Sequence, residues 1–203
     1  ILSASSLTRL EDIYKEYPQA WFQGYLPGDD RRIDAMLRRI SSVGFKTLVI
    51  TADTPVPGNR ENNLRSGFSM PMRISPRVMW DSVTHPRWLL GTIGRTFLTR
   101  GMLYFENMEA TRGPAMLSQS LVRNMDSRDR LSWQNIEFIR DNWKGRLIVK
   151  GLLSVHDVAR ARCMGLDGVV ISNHGGRQLD CAIAPLTVLP ELRAAAGDMT
   201  LIL

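Results

Sequence analysis

Six short apolar runs recur in 203 residues, interleaved with helical patterns. The runs are "ILS" (1–3), "AWFQGY" (20–25), "KTLVITAD" (46–53), "RLIVKG" (146–151), "DGVVIS" (167–172) and "MTLIL" (199–203). Between them, Ile33, Met36, Leu37 and Ile40 stand at helical spacing within 30–43, and a second amphipathic stretch covers 133–143. A third begins at Ser154, which has capping-box spacing to Asp157, and Gly165 fits its stop. A fourth ends near Ala196. Strands that alternate with helices return each time to the same end of the sheet, so they pair in parallel with helices packed outside.

Parallel α/β sheets are mainly open nucleotide-binding sheets or closed eightfold barrels. The open form wants G-x-G-x-x-G after its first strand, and this sequence has none there. Instead, chemically capable residues end several strands: Gln23 and Tyr25, Thr51 and Asp53, Lys150, then Ser172 and His174. In a barrel those ends form one ring where catalytic groups collect, so the expected fold is a (β/α)8 barrel.

Residues 54–131 break the rhythm. They hold eleven Arg, no Lys and six acidic residues, a local excess of five out of a net charge of +6. A connection that long needs structure of its own, and helices are expected around "RVMWDSV" and "PAMLSQSLVRNM". The basic balance admits nucleic acid, anionic lipid or an acidic substrate as partner. With 44% apolar and 23% charged residues, whole-chain disorder is excluded. Cys163 and Cys181 form no C-x-x-C, so neither a zinc cluster nor a disulfide framework is indicated. No run reaches the length of a membrane span. A start without Met and an end inside a strand lead us to expect an internal piece of a longer protein.

Several side chains have the chemistry of a site, each with a plainer alternative. His174 suits a general base or a loop imidazole bonded to backbone. Asp53 suits the carboxylate that fixes an imidazole tautomer or a cap before Pro55. Arg60 and Arg177 are forks for a carboxylate or phosphate, or surface ion-pair partners. Lys150 balances developing negative charge or reaches solvent. Gly175 and Gly176 permit close approach of a ligand, or only a tight turn. His156 is expected at the solvent side of a helix, and His85 to be structural.

The runs "SNHGGRQLD", "VKG" 24 residues before its histidine, "TADTPVPGNRE" and "WFQGY" together resemble the FMN-dependent α-hydroxy-acid dehydrogenase/oxidase family. The similarity runs through the whole chain. "FSMPMRISPRVMWDSVTHPRW" and "RQLDCAIAP" are most similar to its (S)-mandelate dehydrogenase branch, with the flavin-type L-lactate dehydrogenases beside it. The resemblance implies a single partial barrel domain over 1–203, about strands 2–7, with the basic segment at about 54–131 inserted after strand 4. The loops that hold the FMN phosphate in that family would then lie outside the chain.

The resemblance also assigns residues. His174 matches the catalytic base and Asp53 its paired carboxylate. Arg60 and Arg177 match the guanidiniums on the substrate carboxylate, and Tyr25 the tyrosine on the substrate oxygen. Lys150 matches the lysine at the flavin N1/O2 edge. Gln23, Thr51, Ser172 and Ser5 match polar contacts to the flavin ring. Gly24 departs from the family, where a larger apolar residue is common.

The implied reaction is FMN-dependent oxidation of an L-2-hydroxy acid, mandelate- or lactate-like, with quinone or another electron acceptor. The competing readings are an oxygen-using 2-hydroxy-acid oxidase and a non-catalytic basic module for lipid or nucleic acid. Arginines mixed with Trp80, Trp88, Leu89, Leu90, Phe97 and Leu98 suit peripheral contact with a membrane surface. The expected location is cytoplasmic, at the inner face of that membrane, as a homo-oligomer and with no nucleic-acid partner.

Overall fold

The computed structural model describes residues 1–56, 58–67, 75–118 and 127–203. All six apolar runs are strands: β1 (Leu2–Ser3), β2 (Phe22–Gly24), β3 (Thr47–Thr51), β4 (Arg146–Lys150), β5 (Gly168–Val170) and β6 (Thr200–Ile202). They form one parallel sheet in the order β1-β2-β3-β4-β5-β6. A strand order that never reverses belongs to a barrel wall, since a doubly wound open sheet reverses at its switch point. The chain is an arc of six strands of a (β/α)8 barrel, with the helices packed on its outside.

Alternation assigns the two faces of the arc. Leu2, Phe22, Leu48, Ile50, Leu147, Val149 and Val169 join the helices in one apolar core. Their neighbours along each strand, in register as Ser3↔Gln23↔Val49↔Ile148 and Thr51↔Lys150↔Val170, take the other face. The polar strand residues therefore share the inner, concave side of the wall.

The helices are α1 (Leu10–Glu16), α2 (Asp30–Val43), α3 (Glu61–Arg65), α4 (Pro76–Thr84), α5 (Pro86–Trp88), α6 (Arg95–Arg100), α7 (Trp133–Asn142), α8 (Val155–Cys163) and α9 (Pro185–Ala196). A π-helical turn, Leu89–Gly94, joins α5 to α6. α2 forms because Ile33, Met36, Leu37 and Ile40 make one buried stripe, each side chain worth about 2 kcal/mol once out of water. Asp29 caps its start by accepting from the Arg32 amide, and Gly44, at φ +109°, ends it. α7 is tied to α2 through Asn135, whose Nδ2 donates to Asp30 Oδ1 at 2.8 Å.

Two local expectations are corrected. Ser154 does stand at the start of α8, yet its side chain makes no capping hydrogen bond there. Within "PAMLSQSLVRNM", residues 114–118 are extended and turning rather than helical: Ala115 bridges Tyr104 antiparallel, and Pro114 O accepts from the Phe105 amide. The rest of that run lies outside the described residues. The helix expected around "RVMWDSV" is α4.

The inserted segment returns to the wall through a polar lock. Asn107, fully buried, accepts from the Leu10 amide at 2.8 Å and donates to Thr8 O at 2.8 Å, so it caps α1 from 97 residues away. Arg39 of α2 donates to the carbonyls of Glu106, Glu109 and Thr111 and pairs with both carboxylate oxygens of Glu11.

Candidate active site

Three residues expected at the site meet at the C-terminal ends of β3, β4 and β5. His174 Nδ1 lies 3.0 Å from Asp53 Oδ1, and Lys150 Nζ donates to Asp53 Oδ2 at 3.3 Å. Lys150 ends β4 in register with Thr51, and Asp53 follows two residues later. The side chains of Asp53 and His174 retain 10% and 20% exposure, enough burial to strengthen the pair while leaving the imidazole reachable.

An ionised carboxylate only accepts, so Nδ1 carries the proton it shares with Asp53 and Nε2 keeps a free lone pair. Lys150 Nζ also lies 3.4 Å from His174 Nδ1. Two donors cannot bond each other, so the ammonium acts on the shared carboxylate rather than on the ring.

The loop that delivers His174 is strained. His174 has φ +60°, and Gly175 and Gly176 follow at +66° and +67°, three consecutive left-handed residues. A Cβ on either glycine would meet nothing within 4 Å. Those glycines are required by backbone conformation, not by packing within the chain. Hydrogen bonds hold the turn: the His174 amide donates to Ser172 Oγ at 3.0 Å and the Gly176 amide to Asn173 Oδ1 at 3.2 Å.

Beside this cluster runs a polar ladder across three strands. Ser3 Oγ donates to Gln23 Oε1 at 2.8 Å, and Gln23 Nε2 donates to Thr51 Oγ1 at 2.7 Å. The Ser5 amide donates back to Ser3 Oγ at 3.2 Å. Ser3 itself was not among the residues singled out from sequence; its place two residues before Ser5 at a strand end was the signal. Tyr25 is half-buried just past β2 and packs on the core.

Arg60 and Arg177 ride on the loops after β3 and β5, and Gly58 brings those loops into contact. A Cβ on Gly58 would lie 2.3 Å from Arg177 O and 2.7 Å from Gln178 Oε1, so only glycine allows the approach. Arg60 is half-buried and Arg177 exposed. His85 Nδ1 donates to Asp81 O at 2.8 Å at the end of α4, and His156 is exposed on α8.

Two hollows lie away from this cluster. One of about 400 Å³ is bounded by Arg9, Glu11, Arg39, Glu106 and Arg112. Another of about 690 Å³ sits by the opposite strand ends at Trp21, Lys46 and Arg146. The first is walled by ion pairs that already satisfy one another, so we place the chemistry on the open concave face.

The FMN-dependent dehydrogenase family matches residues 1–203, the full length of the chain. This chain belongs to that family. It is 36% identical to the (S)-mandelate dehydrogenase of Pseudomonas putida, over all of this chain and 50% of that protein. It is 37% identical to an L-lactate dehydrogenase of Pectobacterium atrosepticum, over 99% of this chain and 52% of that one. The crystal structure of the monotopic membrane protein (S)-mandelate dehydrogenase superposes with TM-score 0.85 at 35% identity, covering 98% of this chain and 52% of that one. A mandelate oxidase superposes with TM-score 0.68 at 27% identity, covering 98% and 48%. The chain thus spans about half the length of the relatives it matches.

The family is FMN-dependent, and the donor set here fits the ring of that cofactor. Amide, hydroxyl and ammonium groups of Gln23, Thr51 and Lys150 converge on one concave face, where a planar heterocycle with several acceptors and an N–H can bond them.

Proposed function

We propose that the whole protein oxidises an L-2-hydroxy acid of mandelate or lactate type to the 2-keto acid. The observation that carries this reading is the Asp53–His174 pair, two residues beyond Thr51 of the Gln23–Thr51 ladder and beside two arginine-bearing loops. FMN, when bound, supplies the acceptor for the electron pair that leaves the substrate.

The chain's own residues do the rest. Arg60 and Arg177 hold the substrate carboxylate, which fixes its orientation as well as its affinity. Tyr25 bonds the substrate oxygen. His174 Nε2 takes one proton, and Asp53 stabilises the imidazolium that results. Lys150, Gln23, Thr51, Ser172 and Ser5 make the polar bed for the ring, and Lys150 balances negative charge that develops there. Residues 1–203 serve as one domain in this reading.

The inserted segment serves as a peripheral attachment to an anionic bilayer, which puts the site near a quinone acceptor at the inner face of the cytoplasmic membrane. No helix among the described residues is long and apolar enough to cross a membrane. α4 to α6 instead expose Trp80, Leu90 and Leu98 beside Arg77, Arg87, Arg95 and Arg100. Self-association of this protein into a homo-oligomer is part of the same proposal.

Steady-state turnover of the full-length protein tests the reading. It is measured with (S)-mandelate, L-lactate and glycolate, using a dye acceptor with and without oxygen. Dye reduction with a 2-hydroxy acid, insensitive to oxygen, is the expected result. Oxygen consumption would make it an oxidase, and no turnover with any of the three would overturn the reading.

A further inference from the structure

Among the described residues, two buried side-chain atoms have no hydrogen-bond partner: Arg60 Nε and Gln178 Oε1. One is a donor and the other an acceptor. They come from the two loops that meet at Gly58, where Gln178 Oε1 lies 2.7 Å from the position a Cβ would take. A buried polar atom left unpaired is unfavourable, so two complementary ones on loops that meet are natural partners for each other.

Guanidinium chemistry says when. Arg60 presents five N–H groups in a rigid plane, and an end-on bidentate grip on a carboxylate uses only its two terminal nitrogens. Nε–H then needs an acceptor from the protein. Arg177, next to Gln178, is exposed and carries its own fork. Its neighbour supplies an oxygen rather than a third cation.

We propose that Gln178 is a positioning residue for Arg60, its side-chain oxygen accepting Arg60 Nε–H when the guanidinium turns to the substrate carboxylate. This rests on the reading of Arg60 as a carboxylate-binding residue. Gln178 does not touch the reacting atoms. It fixes the plane of the guanidinium, and so the distance of the substrate carbon from His174. The ring nitrogens and carboxylate of the acid–base pair stay untouched by the bond.

The test is a double-mutant cycle in the full-length, FMN-loaded protein. It reads kcat and KM for (S)-mandelate or L-lactate, and the dissociation constant of the matching 2-keto acid by flavin absorbance. Gln178→Leu is expected to raise KM and weaken keto-acid binding about tenfold, with a smaller change in kcat. Gln178→Glu keeps the acceptor and is expected to stay near wild type. In an Arg60→Ala background, Gln178→Leu is expected to add less than about twofold. The proposal is overturned if Gln178→Leu costs the same factor in both backgrounds, costs nothing, or is not restored by glutamate. Flavin content and melting temperature monitor folding; if the leucine variant does not fold, Gln178→Asn, which withdraws the oxygen by one methylene, carries the same expectation. An Arg60→Ala protein that binds keto acid normally would overturn the carboxylate reading and this proposal together. A loss in Arg60→Ala with none in any Gln178 variant would overturn this proposal alone.

Discussion

Gly151 adopts φ +104°, and a Cβ on it would sit 2.4 Å from the Cβ of Asp53. The residue after the β4 lysine therefore fixes the carboxylate that the lysine and the imidazole share. Gly151→Ala meets two penalties at once, a left-handed backbone and a direct clash. We expect it to destabilise the fold by about 1–3 kcal/mol and to reduce turnover at least tenfold by displacing Asp53. Thermal melting and flavin-reduction rate check this. An alanine variant with wild-type rate would show that Asp53 tolerates displacement.

His174 and Asp53 make separable predictions. In the proposed reaction His174→Ala removes the proton acceptor, and it is expected to lower turnover by about 10²–10⁴ while bound flavin is retained. Asp53→Asn leaves a neutral amide that no longer stabilises the imidazolium and is expected to lose a comparable factor. The absorbance of bound flavin and its rate of reduction by substrate measure both. A non-catalytic binding module would tolerate either change.

The barrel wall was legible because its signals are local and repeated. Each apolar run is short enough to be a strand, and α2 and α7 between them carry buried apolar residues at helical spacing. The polar strand ends gave His174, Asp53, Lys150, Gln23 and Thr51. The features that sequence reading missed depend on contacts distant along the chain. Gly58 looks like an ordinary loop glycine until its approach to Arg177 is seen. Asn107 caps α1 from the far end of the insertion, which no local pattern announces. Gln178 stands inside the same motif as His174 and Arg177, and only the fold shows that its side-chain oxygen is buried beside Gly58.

The lock between Arg39 and Glu11 predicts an acid-sensitive step. Burial alone would raise the Glu11 carboxyl, but its bonds to Arg39 and the nearby Arg9 charge outweigh that and hold it below the ordinary value of 4.5. A carboxyl depressed on folding adds stability above its unfolded value, and that stability is lost as pH falls through the folded one. Glu11→Gln is expected to cost about 1 kcal/mol near neutral pH. The difference from wild type shrinks as pH drops below 4.5. Melting temperatures of both proteins down to about pH 3 check the sign; a gap that widens in acid would contradict it. Arg39→Met removes the bonds to Glu106, Glu109 and Thr111 as well and is expected to cost about 3 kcal/mol.

The last prediction concerns the face presented by α4 to α6. Trp80 is 69% exposed, Leu90 72% and Leu98 89%, a density of large apolar side chains that water does not favour. Four arginines on the same stretch supply charge of the sign that anionic headgroups attract, each worth about 1 kcal/mol near such a surface. The full-length protein is expected to pellet with phosphatidylglycerol vesicles and to bind phosphatidylcholine vesicles less. Added salt should weaken the first interaction more than the second, since only the charge contribution is screened. Replacing Trp80, Leu90 and Leu98 together by serine should abolish binding to both while leaving soluble turnover with a dye acceptor intact. Equal pelleting of that triple variant would assign the exposed apolar side chains to a contact between protein molecules instead.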